Sequence, residues 1–179
     1  MKISPASVFL IGMPGSGKTT IGRGLARTLT LPFVDLDQQI EERCGVKIPI
    51  IFEIEGEQGF RKRETQVLEE VTEQPNIVLA TGGGAVLAEA NRRLLAQRGL
   101  VVYLRASIDE LYRRTSRDRN RPLLATPNPK AKIKELMKAR GALYEEIADL
   151  VIDTGAVGIT TVVQQLVDKI ECFRKKPHE

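Results

Sequence analysis

The feature that most constrains how this chain can fold is the run Val8-Phe9-Leu10-Ile11, followed at once by Gly12-Met13-Pro14-Gly15-Ser16-Gly17-Lys18-Thr19. The second stretch has the form GxxxxGK[ST]. It lies between a short apolar segment that reads as a buried strand and a helical pattern over Lys18–Leu29. Glycines at these positions let successive backbone N–H groups turn inward on phosphate oxygens, and the helix N-terminus adds its partial positive charge. The Lys18 ammonium can then reach the β- and γ-phosphates of ATP, the Thr19 hydroxyl can ligate Mg²⁺, and Thr20 follows in the same first turn. A glycine-rich turn without a ligand is the competing reading. The strand–loop–helix context argues against it.

Beyond this loop, short β-branched runs alternate with longer helical patterns, the signature of βαβ units around a parallel sheet. Strands are predicted at Val8–Ile11, Phe33–Asp35, Ile77–Ala80, Leu100–Leu104 and Leu150–Ile152. Their nearly continuous apolar character suits strands covered on both faces. Helices are predicted at Lys18–Leu29, Asp37–Cys44, Glu57–Thr72, Ala88–Gln97, Ile108–Arg114, Pro129–Ile147 and Thr160–Phe173. The expected class is α/β: three layers, α/β/α, with a five-stranded parallel sheet, and 179 residues leave room for one domain only. Two stretches interrupt the pattern. In Asp37–Thr72 two helical pieces are broken by Pro49 and Gly56. Ser116–Asn128 is a polar loop with four charged residues and two prolines, and reads as a mobile lid.

Composition narrows the chemistry. A net charge of +4 fits an anionic ligand, but sign alone does not separate nucleic acid from nucleotide phosphates. Aromatics are only 4% with no Trp, which argues against a surface that stacks single-stranded bases. Cys44 and Cys172 fall in no metal-ligand spacing, as expected of buried or inert thiols in a reducing compartment. No apolar run approaches a membrane span, and Met1–Ser7 is too short for a signal peptide before the first strand, so a cytoplasmic protein is expected. The only histidine, His178, sits in a Lys/Pro-rich tail. Any general base must therefore be a carboxylate.

Two carboxylates stand ready in Phe33-Val34-Asp35-Leu36-Asp37. Residues two apart on a strand project to one face. A magnesium-dependent phosphoryl transfer needs one carboxylate in the metal's shell and another to orient and deprotonate the acceptor hydroxyl. Asp35 is assigned to the metal and Asp37 to the acceptor, with N-capping of the following helix an alternative role for Asp37. Thr81-Gly82-Gly83-Gly84 follows an apolar run, and three glycines there allow a ligand or another backbone to come very close. Arg61, with Glu64 one turn on, and Arg140 each read, taken alone, more readily as surface residues; what lifts both is that an acidic metabolite needs planar, bidentate binders of its carboxylate. Arg121, in the lid, could swing onto the phosphates as an arginine finger in cis.

The ordered set GMPGSGKT, DLD, IFEIEGEQGFRKRE, ATGGGAV, RPLL and LYEEIAD resembles the bacterial shikimate kinase family, within the nucleoside monophosphate kinase-like P-loop group. The resemblance runs from about Val8 to Leu166. It implies transfer of the ATP γ-phosphate to the 3-hydroxyl of shikimate, in the route to aromatic amino acids. By that resemblance Arg61 and Arg140 hold the shikimate carboxylate, and Asp37 and the Gly82–Gly84 backbone hold its hydroxyls. Asp37 is then the base, Arg121 contacts the nucleotide phosphates, Arg114 stacks on adenine, and Glu64 orients Arg61. The family also implies a substrate-binding region near 37–64 and a lid near 116–128. Two departures stand out. Gly141-Ala142 replaces a common Asn-Pro after Arg140, and Arg105 stands where an acidic residue is common. The rivals are a gluconate- or nucleotide-type kinase on the same scaffold, or a nucleotide-binding module without catalysis. ATP and shikimate are the expected partners of a monomer that binds neither nucleic acid nor membrane.

Overall fold

The computed structural model describes residues 6–116, 121–155 and 157–176. Five parallel strands, β1 (Val8–Ile11), β2 (Phe33–Asp35), β3 (Val78–Ala80), β4 (Leu100–Arg105) and β5 (Leu150–Asp153), form one sheet in the order β2-β3-β1-β4-β5. Between and after them run α1 (Lys18–Leu29), α2 (Leu36–Cys44), α3 (Ile48–Val71), α4 (Glu89–Arg98), α5 (Ile108–Thr115), α6 (Pro129–Ile147) and α7 (Ile159–Lys175). Register is fixed at the centre, where Val8 and Leu10 of β1 lie opposite Val78 and Ala80 on one side and Leu100 and Val102 on the other.

Alternation along the strands builds two cores. Val8, Leu10, Val78, Leu100, Val102 and Leu104 face α1 and α7, meeting Ile21, Leu25, Val162, Leu166 and Ile170. Phe9, Ile11, Leu79, Val101 and Tyr103 face the opposite layer, meeting Leu68, Leu95, Leu111, Leu136 and Tyr144. With both faces covered, the strands need no polar face, which is why their sequences are almost wholly apolar. The carboxyl ends of all five strands point to one edge, the crevice where ligands of such sheets bind.

The structure adjusts several boundaries. β3 begins at Val78, because the Ile77 N–H is taken by the Ser7 hydroxyl at 3.1 Å and not by a strand partner. β4 and β5 each run one residue further, ending on an ion pair between Arg105 and Asp153 at 2.8 Å that explains Arg105 as a surface residue. Pro49 breaks nothing. It lies in the first turn of α3, where its missing N–H costs no helical bond. Gly56 does interrupt α3, at φ 71° and ψ −179°. Gly141-Ala142 leaves α6 unbroken from Pro129 to Ile147. Cys172 is exposed, not buried, because it lies off the Val163–Val167–Ile170 stripe by which α7 packs; Cys44 is half-buried, and both thiols are free. Of the expected lid Ser116–Asn128, residues 117–120 lie outside the described residues, as does His178.

Gly99 shows how tightly the central sheet is filled. A Cβ there would stand 2.4 Å from the Phe9 ring. Gly99→Ala is therefore expected to cost about 1–3 kcal/mol of stability through overpacking. Urea denaturation checks this, and an unchanged midpoint would contradict it.

Candidate active site

The phosphate loop joins β1 to α1. Gly17 caps α1 at φ 94°, a left-handed conformation that glycine adopts without strain. This turn lets the Lys18 side chain fold back, and its ammonium donates to the carbonyls of Gly12 at 2.7 Å and Met13 at 2.9 Å. Burial, and then the charge of Arg121, lowers the Lys18 pKa to about 7, while Asp37 and Asp35 oppose the shift. An anion here would restore the full charge of Lys18. The loop thus holds a cation in want of a counter-ion.

Thr19 and Asp35 meet beneath the same opening, the Thr19 hydroxyl donating to Asp35 Oδ2 at 2.8 Å. The other Asp35 oxygen accepts from the Gln38 N–H at 3.1 Å and N-caps α2. The strand-face argument for the DLD pair is therefore corrected, because the strand stops at Asp35 and Asp37 belongs to the first turn of α2. The capping role falls to Asp35 instead of Asp37, and among the described residues the buried Asp37 Oδ1 has no hydrogen-bond partner. Burial, then the neighbouring carboxylates of Asp35 and Glu64, raises the Asp37 pKa to about 6.

Two cavities meet at Asp37. One, of about 300 Å³, is lined by Gly15, Gly17, Lys18, Thr19, Thr20, Asp35, Arg114 and Arg121. The other, of about 90 Å³, is lined by Arg61, Glu64, Gly84 and Arg140, with an apolar wall of Ile48, Phe52, Phe60 and Leu123. Asp37, Gly82, Gly83 and Arg121 border both. The first opening is polar and cationic, with hard oxygen donors in Thr19 and Asp35. That donor set suits Mg²⁺, which keeps most of its waters and shares phosphate oxygens instead of occupying an all-protein cage.

The second cavity is built around charge. Arg61 donates to Glu64 at 2.9 Å and lies 3.4 Å from Glu57. Glu64 is 0% exposed and Arg140 only 2%, so neither arginine site is the surface pair that sequence alone allowed. Burial raises the Glu64 pKa, with Arg61 opposing. The three glycines make the close approach possible. A Cβ on Gly84 would stand 2.3 Å from the Arg61 guanidinium, and one on Gly82 would stand 2.9 Å from both the Asp37 and Glu64 carboxylates.

The remaining expected residues divide. Gly12 and Met13 supply carbonyls to Lys18, but the Met13 side chain is in the core, and Pro14 borders the second cavity instead of the first. Ser16 Oγ is buried and has no partner among the described residues. Arg114 reaches from the phosphate cavity into an adjoining recess with Thr154, Gly155 and Val157, anchored on the Thr154 carbonyl at 2.6 Å and on Glu110 at 2.8 Å. Thr154 was missed by sequence reasoning, since nothing local marks a partner so distant in the chain. The apolar wall was missed too, although the Ile48–Phe52 spacing of one helical turn could have revealed it.

A five-stranded parallel sheet with this phosphate loop, a carboxylate at the junction and an arginine-lined second cavity defines a P-loop kinase of small molecules. The shikimate kinase family model matches residues 14–171. Shikimate kinases of Bordetella avium and Ralstonia nicotianae are 63% and 52% identical over 94% of this chain, covering 81% and 89% of their own lengths. A structure of shikimate kinase from Acinetobacter baumannii in complex with shikimate superposes with a TM-score of 0.94 at 45% identity, covering 98% of this chain and 97% of that one. This chain belongs to the shikimate kinase family. A gluconokinase from Sinorhizobium meliloti, at 16% identity and a TM-score of 0.60, shares the fold alone. Among the described residues no helix is long and apolar enough to cross a membrane.

Asp37 also makes a stability prediction. Its pKa in the folded, ligand-free protein lies above the ordinary 3.8, at about 6. Its contribution to stability is therefore fully present below pH 4 and is lost as pH rises through 6. Asp37→Asn is expected to stabilise the ligand-free protein by on the order of 1–3 kcal/mol at pH 8, with little gain at pH 4. Urea melts at the two pH values measure this. A variant no more stable than wild type at pH 8 would contradict the buried, unpaired carboxylate.

Proposed function

We propose that this chain transfers the γ-phosphoryl group of ATP to the 3-hydroxyl of shikimate, giving shikimate 3-phosphate and ADP. The observation that carries this reading is the junction of the two cavities at Asp37. A phosphate held by Lys18 and a hydroxyl beside Asp37 would face each other across the edge that both cavities share, bordered by Gly82, Gly83 and Arg121. The second cavity suits a small carboxylate with hydroxyls. Arg61 and Arg140 offer forked guanidinium donors to the carboxylate, and the Asp37 oxygens accept from the hydroxyls.

In the proposed step the acceptor hydroxyl loses its proton to Asp37 as its oxygen bonds to the γ-phosphorus. The bond from that phosphorus to the β-bridging oxygen breaks, and ADP leaves with the electron pair. Lys18 and Arg121 stabilise the charge on the transferring group, where such preorganised donors contribute most of the rate. Thr19 and Asp35 would hold Mg²⁺, which when bound neutralises phosphate charge. The loop from Gly12 to Thr20 cradles the phosphates, and Arg114 packs against adenine in the recess beside Thr154. The chain is proposed to work as one domain and as a monomer in the cytoplasm, with residues 37–64 forming the acceptor region and the segment 116–128 its cover.

ADP release from Mg·ATP, with shikimate present or omitted and with quinate and gluconate as controls, tests the reading. Turnover that requires shikimate is expected, and turnover with none of the three acids would remove the assignment. Arg61→Lys is expected to raise the KM for shikimate roughly tenfold or more while leaving that for ATP nearly unchanged, because the planar fork is lost. A shift confined to the ATP constant would overturn the carboxylate assignment.

A further inference from the structure

Tyr144 lines neither cavity, yet its side chain ends between them. It is 0% exposed, on α6 one turn after Arg140, and its ring stacks on Tyr103 of β4 with centroids 5.0 Å apart. Its hydroxyl donates to the Gly83 carbonyl. Arg140 stands one helical turn earlier on α6 and borders the second cavity, and its charge opposes the rise in the phenol's pKa that burial causes. Gly83 in turn lies against the phosphate loop, since a Cβ there would stand 2.7 Å from Pro14 Cδ.

A phenylalanine would fill the same volume and keep the stack. The hydroxyl is therefore not required by packing, and a buried hydroxyl needs partners wherever it sits. Here its partner is the Gly83 carbonyl in the glycine floor of the acceptor cavity, and one of the two arginines of the cavity wall, Arg140, lies one helical turn away. Asn91 and Arg92 hold the next stretch of that floor, donating to the carbonyls of Ala85 at 2.9 Å and Val86 at 2.7 Å. Tyr144 alone of the three also stands one helical turn from a guanidinium of the site.

We propose that Tyr144 is a positioning residue for phosphoryl transfer, whose hydroxyl fixes the Arg140 guanidinium relative to the Gly83 backbone and so sets where the acceptor's carboxylate, and with it the reacting hydroxyl, comes to rest. The inference rests on the shikimate reading above. It adds a residue that does not touch the substrate and acts through Arg140. Loss of one buried hydrogen bond, together with a small displacement of a carboxylate clamp, is enough to slow a reaction measurably.

Tyr144→Phe is the test, with kcat and both KM values measured beside the thermal midpoint. The KM for shikimate is expected to rise roughly tenfold and kcat to fall severalfold, with the KM for ATP within twofold of wild type. In an Arg140→Lys background the same substitution should add little, because the residue it positions has already been changed. A shikimate KM within twofold of wild type would overturn the proposal. So would equal rises in both KM values, or full additivity with Arg140→Lys, since each points to general loosening of the core. Wild-type turnover on shikimate is the control that keeps the two readings apart. Its absence would sink the assignment of the acceptor, whereas an active wild type with an unaffected variant would sink the role of Tyr144 alone.

Discussion

The site depends on a cation and a carboxylate that share one crevice with, among the described residues, no ion pair between them. Lys18 donates to the Gly12 and Met13 carbonyls, which hold its protons but not its charge, and Asp37 Oδ1 has no hydrogen-bond partner among the described residues. Both groups are driven toward neutrality, Lys18 to a pKa of about 7 and Asp37 to about 6. Burying charges in this way is costly, and the surrounding fold has to hold them in place. Two apolar cores on either side of a five-stranded sheet supply that rigidity. Triphosphate at Lys18 and a hydroxyl at Asp37 would relieve both strains together, which is how such a site favours the ternary complex.

The acceptor cavity is held together by side chains crossing very short distances, and the three glycines make this possible. Gly82 admits the Asp37 and Glu64 carboxylates, Gly83 admits Pro14, and Gly84 admits the Arg61 guanidinium. Each glycine is needed for what lies over it, more than for its own backbone freedom. The floor then receives its fixed position from below, through Tyr144, Asn91 and Arg92. Geometry on this scale has to be right to a fraction of an ångström for phosphoryl transfer.

Local motifs were legible in the sequence, and long-range partners were not. The phosphate loop and its flanking strand and helix are contiguous, so their spacing alone predicted the Lys18 and Thr19 placements. Most of the sheet followed from apolar runs that need no alternation when both faces are covered. Arg61 and Glu64 are visible in the sequence as a pair one turn apart, but the burial that takes Glu64 out of solvent depends on where α3 packs. The DLD motif was read as an extended pair, although the chain turns helical at Leu36 and gives the cap to Asp35. The Tyr144–Gly83 and Arg114–Thr154 contacts join residues 61 and 40 positions apart, and no local pattern announces them.

The most direct test of the junction at Asp37 is the pH dependence of turnover with both Mg·ATP and shikimate well below saturation, where the ionisation of the ligand-free enzyme is reported. A base whose pKa lies near 6 must be ionised to accept the hydroxyl proton, so activity should fall as pH drops through about 6. The residual turnover of Asp37→Asn should lack that limb. A profile that stays level down to pH 5, or an acid limb that persists in Asp37→Asn, would contradict the account of Asp37 as the group on which donor and acceptor meet.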